Sequence, residues 1–107
     1  MRLDLIQAKV RARKLRITAH ALTEASKDGI RAKDIHDAIL NGKEIERYPE
    51  RQRVLIQAMM PELGIPIHVV CDYSDPDEIV VPTVYIPGRK RWTLDQFRKP
   101  FSKGKKK

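Results

Sequence analysis

Three side chains able to donate, accept or position a proton, His68, Thr83 and Tyr85, fall in two β-branched runs separated by turn residues. The runs are 64–73 and 79–87. The Ser74-Asp75-Pro76-Asp77-Glu78 stretch between them marks an antiparallel hairpin. A loop at Ser74–Asp77 would set Tyr73 opposite Glu78 and His68 opposite Thr83. Strand alternation then gathers His68, Val70, Asp72, Ile79, Val81, Thr83 and Tyr85 on one face. The other face, with Ile67, Val69, Cys71, Tyr73, Val80, Val84 and Ile86, is almost wholly apolar and must meet the helices. A one-residue slip would exchange the two faces. An imidazole, a phenol and a hydroxyl, with arginines nearby, suffice for phosphodiester cleavage without a metal. One group takes the ribose 2′-OH proton, another protonates the leaving oxygen, and cations stabilise the charged phosphorane. A histidine bonded to Thr83 merely to satisfy a half-buried face would leave the same pattern.

A second candidate is His20 with Glu24, spaced i,i+4 on one helix face, where the carboxylate could orient the imidazole as a base. A helix-start histidine making only local hydrogen bonds is the simpler reading of that spacing. His36, between Asp34 and Asp37, reads as surface. His68 and Cys71 are three apart on a strand and point to opposite faces, so they cannot share a metal ion. Cys71 reads as a small core residue. No glycine-rich phosphate loop and no Gly-x-Ser-x-Gly elbow is present. The residues imply neither a metal nor a cofactor.

The elements that must position these groups are legible in part. Arg2–Arg16 reads as a basic helix whose far end, near Leu15–Ile17, could already be extended. Thr18 is an N-cap for a helix over His20–Asp28, closed by Gly29. A third helix spans Ala32–Asn41 and stops at Gly42. Strands follow at Lys43–Tyr48, ended by Pro49, and at Arg53–Met60, ended by Pro61, and then come the two hairpin strands. Pro82, lacking an N–H, suits an edge or a bulge. The sum is an α+β domain with N-terminal helices on one face of a four-stranded antiparallel sheet. Thr93–Gln96 resembles a capping box that would bring Trp92 and Phe97 back onto the domain. The domain extends over 1–101, and 102–107 is expected to be a disordered basic tail.

With 107 residues and 41% hydrophobic content the chain holds one modest core. It has no apolar run long enough to span a membrane and no secretory signal. A single cysteine and no signal fit a reducing cytoplasm. The net charge of +8 is segregated. Residues 1–42 carry +4, residues 43–87 carry −4, and residues 88–107 carry +8. That balance favours polyanionic partners, nucleic acid first and an acidic protein second.

His20-Ala21-Leu22, Gly29-Ile30 with Asp34-Ile35, Gly42 with Ile45 and Tyr48, Pro66–Val70, and Thr83–Tyr85 followed by Trp92 resemble one small prokaryotic domain-of-unknown-function family. That family is commonly compared with RelE-like toxins and the wider barnase- and colicin-like ribonuclease fold. The resemblance covers about 17–92. It implies helices followed by a four-stranded antiparallel sheet, ribonuclease activity, and an antitoxin-like protein partner. Carried over by position, the recurrent polar residues are His20, His68, Thr83 and Tyr85. Family members often carry arginines where this chain has Glu24 and Asp28. The cationic role then moves to Arg47, Arg53 or Arg89, Lys90 and Arg91. The expectation is a metal-independent endoribonuclease, with a non-catalytic binding module as the alternative.

Overall fold

The computed structural model describes residues 1–62 and 64–88. Helix α1 runs Leu3–Arg11, strand β1 Leu15–Ile17, α2 Ala19–Lys27 and α3 Ala32–Asn41. Strands β2 (Lys43–Tyr48), β3 (Arg53–Met60), β4 (Ile65–Asp72) and β5 (Ile79–Tyr85) follow, with a 3₁₀ turn at Pro49–Arg51. The three helices and the sheet make an α+β fold.

The sheet has five strands in the order β1-β5-β4-β3-β2 and is mixed, not four-stranded and antiparallel as the sequence suggested. The additional strand is β1, which pairs parallel to β5 through Leu15–Ile79, Arg16–Val80 and Ile17–Val81. Leu15–Ile17 reads as extended from the sequence, but not as a strand of the sheet, because the chain leaves α1 without a glycine. Arg13 takes the left-handed conformation itself, at φ 64°. The helix therefore stops at Arg11, and only three residues remain to show alternation.

Local rules account for the other helix boundaries. The Thr18 hydroxyl accepts the Ala21 N–H at 3.0 Å, and Thr18 N–H donates to the Val81 carbonyl, tying the start of α2 to β5. Gly29, at φ 74°, closes α2. Gly42 ends α3 for a different reason. A Cβ there would fall 2.5 Å from the Ala38 carbonyl oxygen and 2.7 Å from that of Gln57. Only glycine lets α3 run into β2 with its end against β3.

All three helices bury one stripe in a single apolar cluster, with Ile6, Val10, Ala21, Ala25, Ile35 and Ile39 packed on Val54, Ile56, Ile67, Val69 and Val84. The inner faces of the strands thus supply the core. The alternate residues, Gln57, His68, Thr83 and Tyr85 among them, face away from the helices.

The β4–β5 hairpin corrects the expected register. Its connection is residues 73–78, and the first pair beyond it is Asp72–Val80, one residue off the expected Asp72–Ile79; one further shift sets His68 opposite Tyr85 and Thr83 opposite Val70. That shift lies between Val70 and Asp72. The extra residue lies on β5 around Val81–Pro82, a site where the missing proline N–H costs no ladder bond. Beyond it the faces exchange. Ile79 and Val81 are fully buried core residues, not members of the outer face, and Val80 faces outward. Ile45 lies at a second irregularity, between Glu44 and Glu46 on β2, and is 41% exposed. The capping box at Thr93–Gln96, Trp92, Phe97 and the tail at 102–107 lie outside the described residues.

Candidate active site on the sheet face turned away from the three described helices

Pairing of β3 with β4 and of β4 with β5 lines up Gln57, His68 and Tyr85 in one cross-strand row. Their side chains are hydrogen-bonded along that row. His68 Nε2 is 2.8 Å from Gln57 Oε1, and His68 Nδ1 is 3.2 Å from the Tyr85 hydroxyl. The amide oxygen can only accept, so Nε2 carries the proton in the neutral ring and Nδ1 is left to accept from the Tyr85 O–H. The two rings meet edge-on with centroids 5.2 Å apart. Among the described residues His68 is the one buried side chain that is polar or charged rather than apolar, at 6% exposure, while Tyr85 is half-buried.

Such a row can move a proton. An imidazole whose far nitrogen is fixed by an amide, and whose near nitrogen faces a phenol, can take the phenol proton as the phenol takes one from a substrate. The partly exposed phenol, not the buried imidazole, is the group placed to touch a ligand. Thr83 lies two residues from Tyr85 on the same face, opposite Val70 and not His68. Gln57 was missed by sequence reasoning. The first β3–β4 pair is Met60 with Ile65, which sets Gln57 against His68, so counting back from Pro61 and Gly64 could have found it.

The geometry gives the site but not its lineage. A family model described as a domain of unknown function, DUF4258, matches residues 17–86. The chain belongs to that family. No curated protein matches it. In this DUF4258 domain the matched span takes in His20, Gln57, His68, Thr83 and Tyr85, and leaves out α1 and the turn at Arg13.

The other sequence candidates of the DUF4258 domain are scattered. His20 and Glu24 sit on α2, in the helical layer, with His20 exposed and Glu24 receiving Lys27 Nζ at 3.3 Å. The row at His68 faces the opposite side of the sheet, so the two histidines belong to separate places. Arg47 lies on the helix side, opposite Val54. It donates twice to Glu44 at 2.8 Å, and to the Met1 carbonyl and the Tyr73 hydroxyl, with its guanidinium 5.6 Å above the Tyr73 ring. The Glu44 hydrogen bonds raise the Arg47 pKa further, and Arg47 in turn lowers that of Glu44. Arg47 is a structural clamp. Arg53 does share the outer face with Gln57, four residues along β3 at roughly 13 Å, and bonds Asp72 at 2.8 Å. Burial pulls Asp72 up, but bonds from Ser74 and Arg53 outweigh it and hold the carboxyl below its usual range. Arg89, Lys90 and Arg91 lie outside the described residues.

Cys71 is fully buried, and desolvation pushes its thiol up to about 12, which leaves it inert as a nucleophile. Among the described residues no three His, Cys, Asp or Glu side chains gather to hold a metal. No described helix is long and apolar enough to cross a membrane.

Proposed function

We propose that this DUF4258 domain is a metal-independent endoribonuclease of the RelE-like type. The observation that carries the reading is the hydrogen-bonded Gln57–His68–Tyr85 row on the sheet face turned away from α1–α3. The Tyr85 oxygen receives the proton of a ribose 2′-OH as its own proton passes to His68 Nδ1. The 2′ oxygen attacks the adjacent phosphorus, the bond from phosphorus to the 5′ oxygen breaks, and that oxygen takes a proton from water. The products are a 2′,3′-cyclic phosphate and a free 5′-OH. Thr83, on the same face, positions the phosphate, and Arg53 supplies charge to a longer strand. The residue set needs no cofactor. The net charge of +8 supports RNA as substrate, acting in the cytoplasm with an antitoxin-like protein covering the basic surface. His20 with Glu24 is the reserve proton shuttle.

Cleavage of a labelled mixed-sequence RNA in EDTA tests the reading. Wild type should cut, and His68→Ala and Tyr85→Phe should each lose about a hundredfold or more, while His20→Ala should not. If wild type leaves the RNA intact, or if both variants cut as well as wild type, the reading fails. A non-catalytic RNA-binding module is the second reading. The observation favouring it is the 6% exposure of His68, and it predicts salt-sensitive binding without cleavage.

A further inference from the structure

We propose that the turn closing α1 is a docking corner for the phosphate backbone of single-stranded RNA, with Arg13 at its centre and Arg11 and Lys14 beside it. The route from this corner to Tyr85 rests on the nuclease reading; the docking itself does not.

The turn has a specific geometry. Lys14 N–H donates back to the Lys9 carbonyl at 2.9 Å and Arg13 N–H to the Val10 carbonyl at 3.0 Å. That double closure requires a left-handed residue between, and glycine is the ordinary occupant. Here the occupant is Arg13, at φ 64°. A side chain at that φ is disfavoured by contact of its Cβ with the backbone, and arginine brings none of the local bonding that lets Asn or Asp sit there. Attraction of cations to the helix C-terminus does not explain the choice, since Lys9 and Arg11 already occupy the last turn. A residue held where the fold would be better served by glycine points to work done by its side chain.

That side chain is available. Arg11, Arg13 and Lys14 are exposed and make no ion pair among the described residues. The corner is also fixed to the sheet. Ile79 N–H donates to the Lys14 carbonyl at 2.8 Å, and Lys9 Nζ holds the Pro76 carbonyl at 2.7 Å. The neighbouring loop is acidic, with Asp75, Asp77 and Glu78, and Glu78 holds Arg16 at 2.9 Å. A polyanion is therefore kept off the loop and drawn to the three unpaired cations. Arg16 lies opposite the outward-facing Val80. From that level β5 leads past Thr83 to Tyr85, a run of roughly 15 Å that a few nucleotides cover.

Fluorescence anisotropy with a short labelled mixed-sequence single-stranded RNA, titrated across salt, tests the corner. Arg13→Gly should weaken binding about three- to tenfold and flatten the slope of log affinity against log salt by about 0.7, one phosphate contact fewer. The same variant should melt on the order of 4 °C higher, so weaker binding cannot be laid to unfolding. Arg13→Lys should keep most of the affinity. The double variant Arg13→Gly, Gly29→Arg has the native net charge with the cation on the wrong helix, and should bind as poorly as Arg13→Gly. Unchanged binding by Arg13→Gly, full binding by the double variant, or no RNA binding by wild type would each overturn the corner. Cleavage in the same samples judges the nuclease reading separately. Wild type that binds but never cuts leaves the corner standing, and cleavage with Arg13-independent binding leaves only the nuclease.

Discussion

The same turn closes α1 and α2, and the two copies differ in what fills it. In α2, Ile30 N–H reaches the Ala25 carbonyl at 2.9 Å and Gly29 N–H the Ser26 carbonyl at 3.1 Å, with Gly29 at φ 74°. Ile30 and Ala25 are both buried, so an apolar contact accompanies the backbone bonds, the usual stabilising arrangement. In α1 the backbone bonds are the same, yet the left-handed residue is Arg13 and the flanking pair is Lys9 and Lys14. One turn is composed for stability. The other keeps four cations at a place where glycine and an apolar pair would hold better.

Where the chain does use glycine, two different constraints are at work, and substitutions separate them. Gly42 has an extended backbone, φ −85°, so conformation does not require glycine. Space does, because an added Cβ would also lie 2.7 Å from Ile56 Cγ2 besides the two carbonyl oxygens. Gly42→Ala should lose about 3 kcal/mol in urea unfolding, the largest effect here, since two of the three clashing groups are backbone and cannot swing away. The push falls on Gln57, so the row at His68 should loosen as well. Gly29→Ala tests the other constraint. Nothing lies within 4 Å of that Cβ, and only the positive φ is penalised. A loss of about 1 kcal/mol is expected, and a loss near that of Gly42→Ala would show that packing had been misjudged. Arg13→Gly should run the opposite way and gain roughly 0.5 kcal/mol, less than Gly29→Ala loses, because glycine also frees the unfolded chain and the helix end loses a cation. A destabilised Arg13→Gly would mean that arginine serves the fold, and the contrast between the turns would collapse.

This contrast also explains what could be read from the sequence. The bounds of α2, α3, β2 and β3 were legible because Thr18, Gly29, Gly42, Pro49 and Pro61 punctuate them. The end of α1 was not, because Arg13 does the work of a glycine without looking like one; Leu15–Ile17 was read as extended but not as a fifth strand. In the hairpin, Tyr85 was rightly grouped with His68, since the one-residue offset at the connection and the one-residue bulge on β5 add to two and restore the alternation. It was not recognised as the partner opposite His68, a place given to Thr83. The exchange of faces at Val81–Pro82 was signalled only by the proline, which marks where a bulge is tolerated but not which residues it turns inward. Gln57 went unseen because its role depends on a register across three strands, and no single segment carries that information.

The smallest effect concerns the opposite kind of terminus, and extends the contrast to helix starts. Helix α2 begins at Thr18, whose hydroxyl caps it. Helix α3 begins at Arg31, which cannot accept, and Asp34 reaches back instead. Asp34 takes the Arg31 backbone N–H at 2.8 Å and the Arg31 guanidinium at 3.1 and 3.0 Å. The side-chain bonds from Arg31, and then the backbone bond, hold the Asp34 carboxyl below its ordinary value of 3.8. The folded state therefore binds that proton more weakly than the unfolded state. Its contribution is fully present above about pH 5, and is lost as the pH falls through the ordinary carboxylate range to the lowered folded value. No comparable carboxylate caps α2, whose hydroxyl does not titrate in this range. Asp34→Asn should thus lower stability slightly at neutral pH and make the acid limb of a stability–pH curve, measured by urea unfolding, less steep. Thr18→Ala should lower the whole curve without changing that limb, because it removes a cap and no titrating group. If the two variants gave parallel curves, the acid sensitivity would have to lie in the other carboxylates held low, Asp37 by Lys33, Glu44 by Arg47, or Asp72 by Ser74 and Arg53.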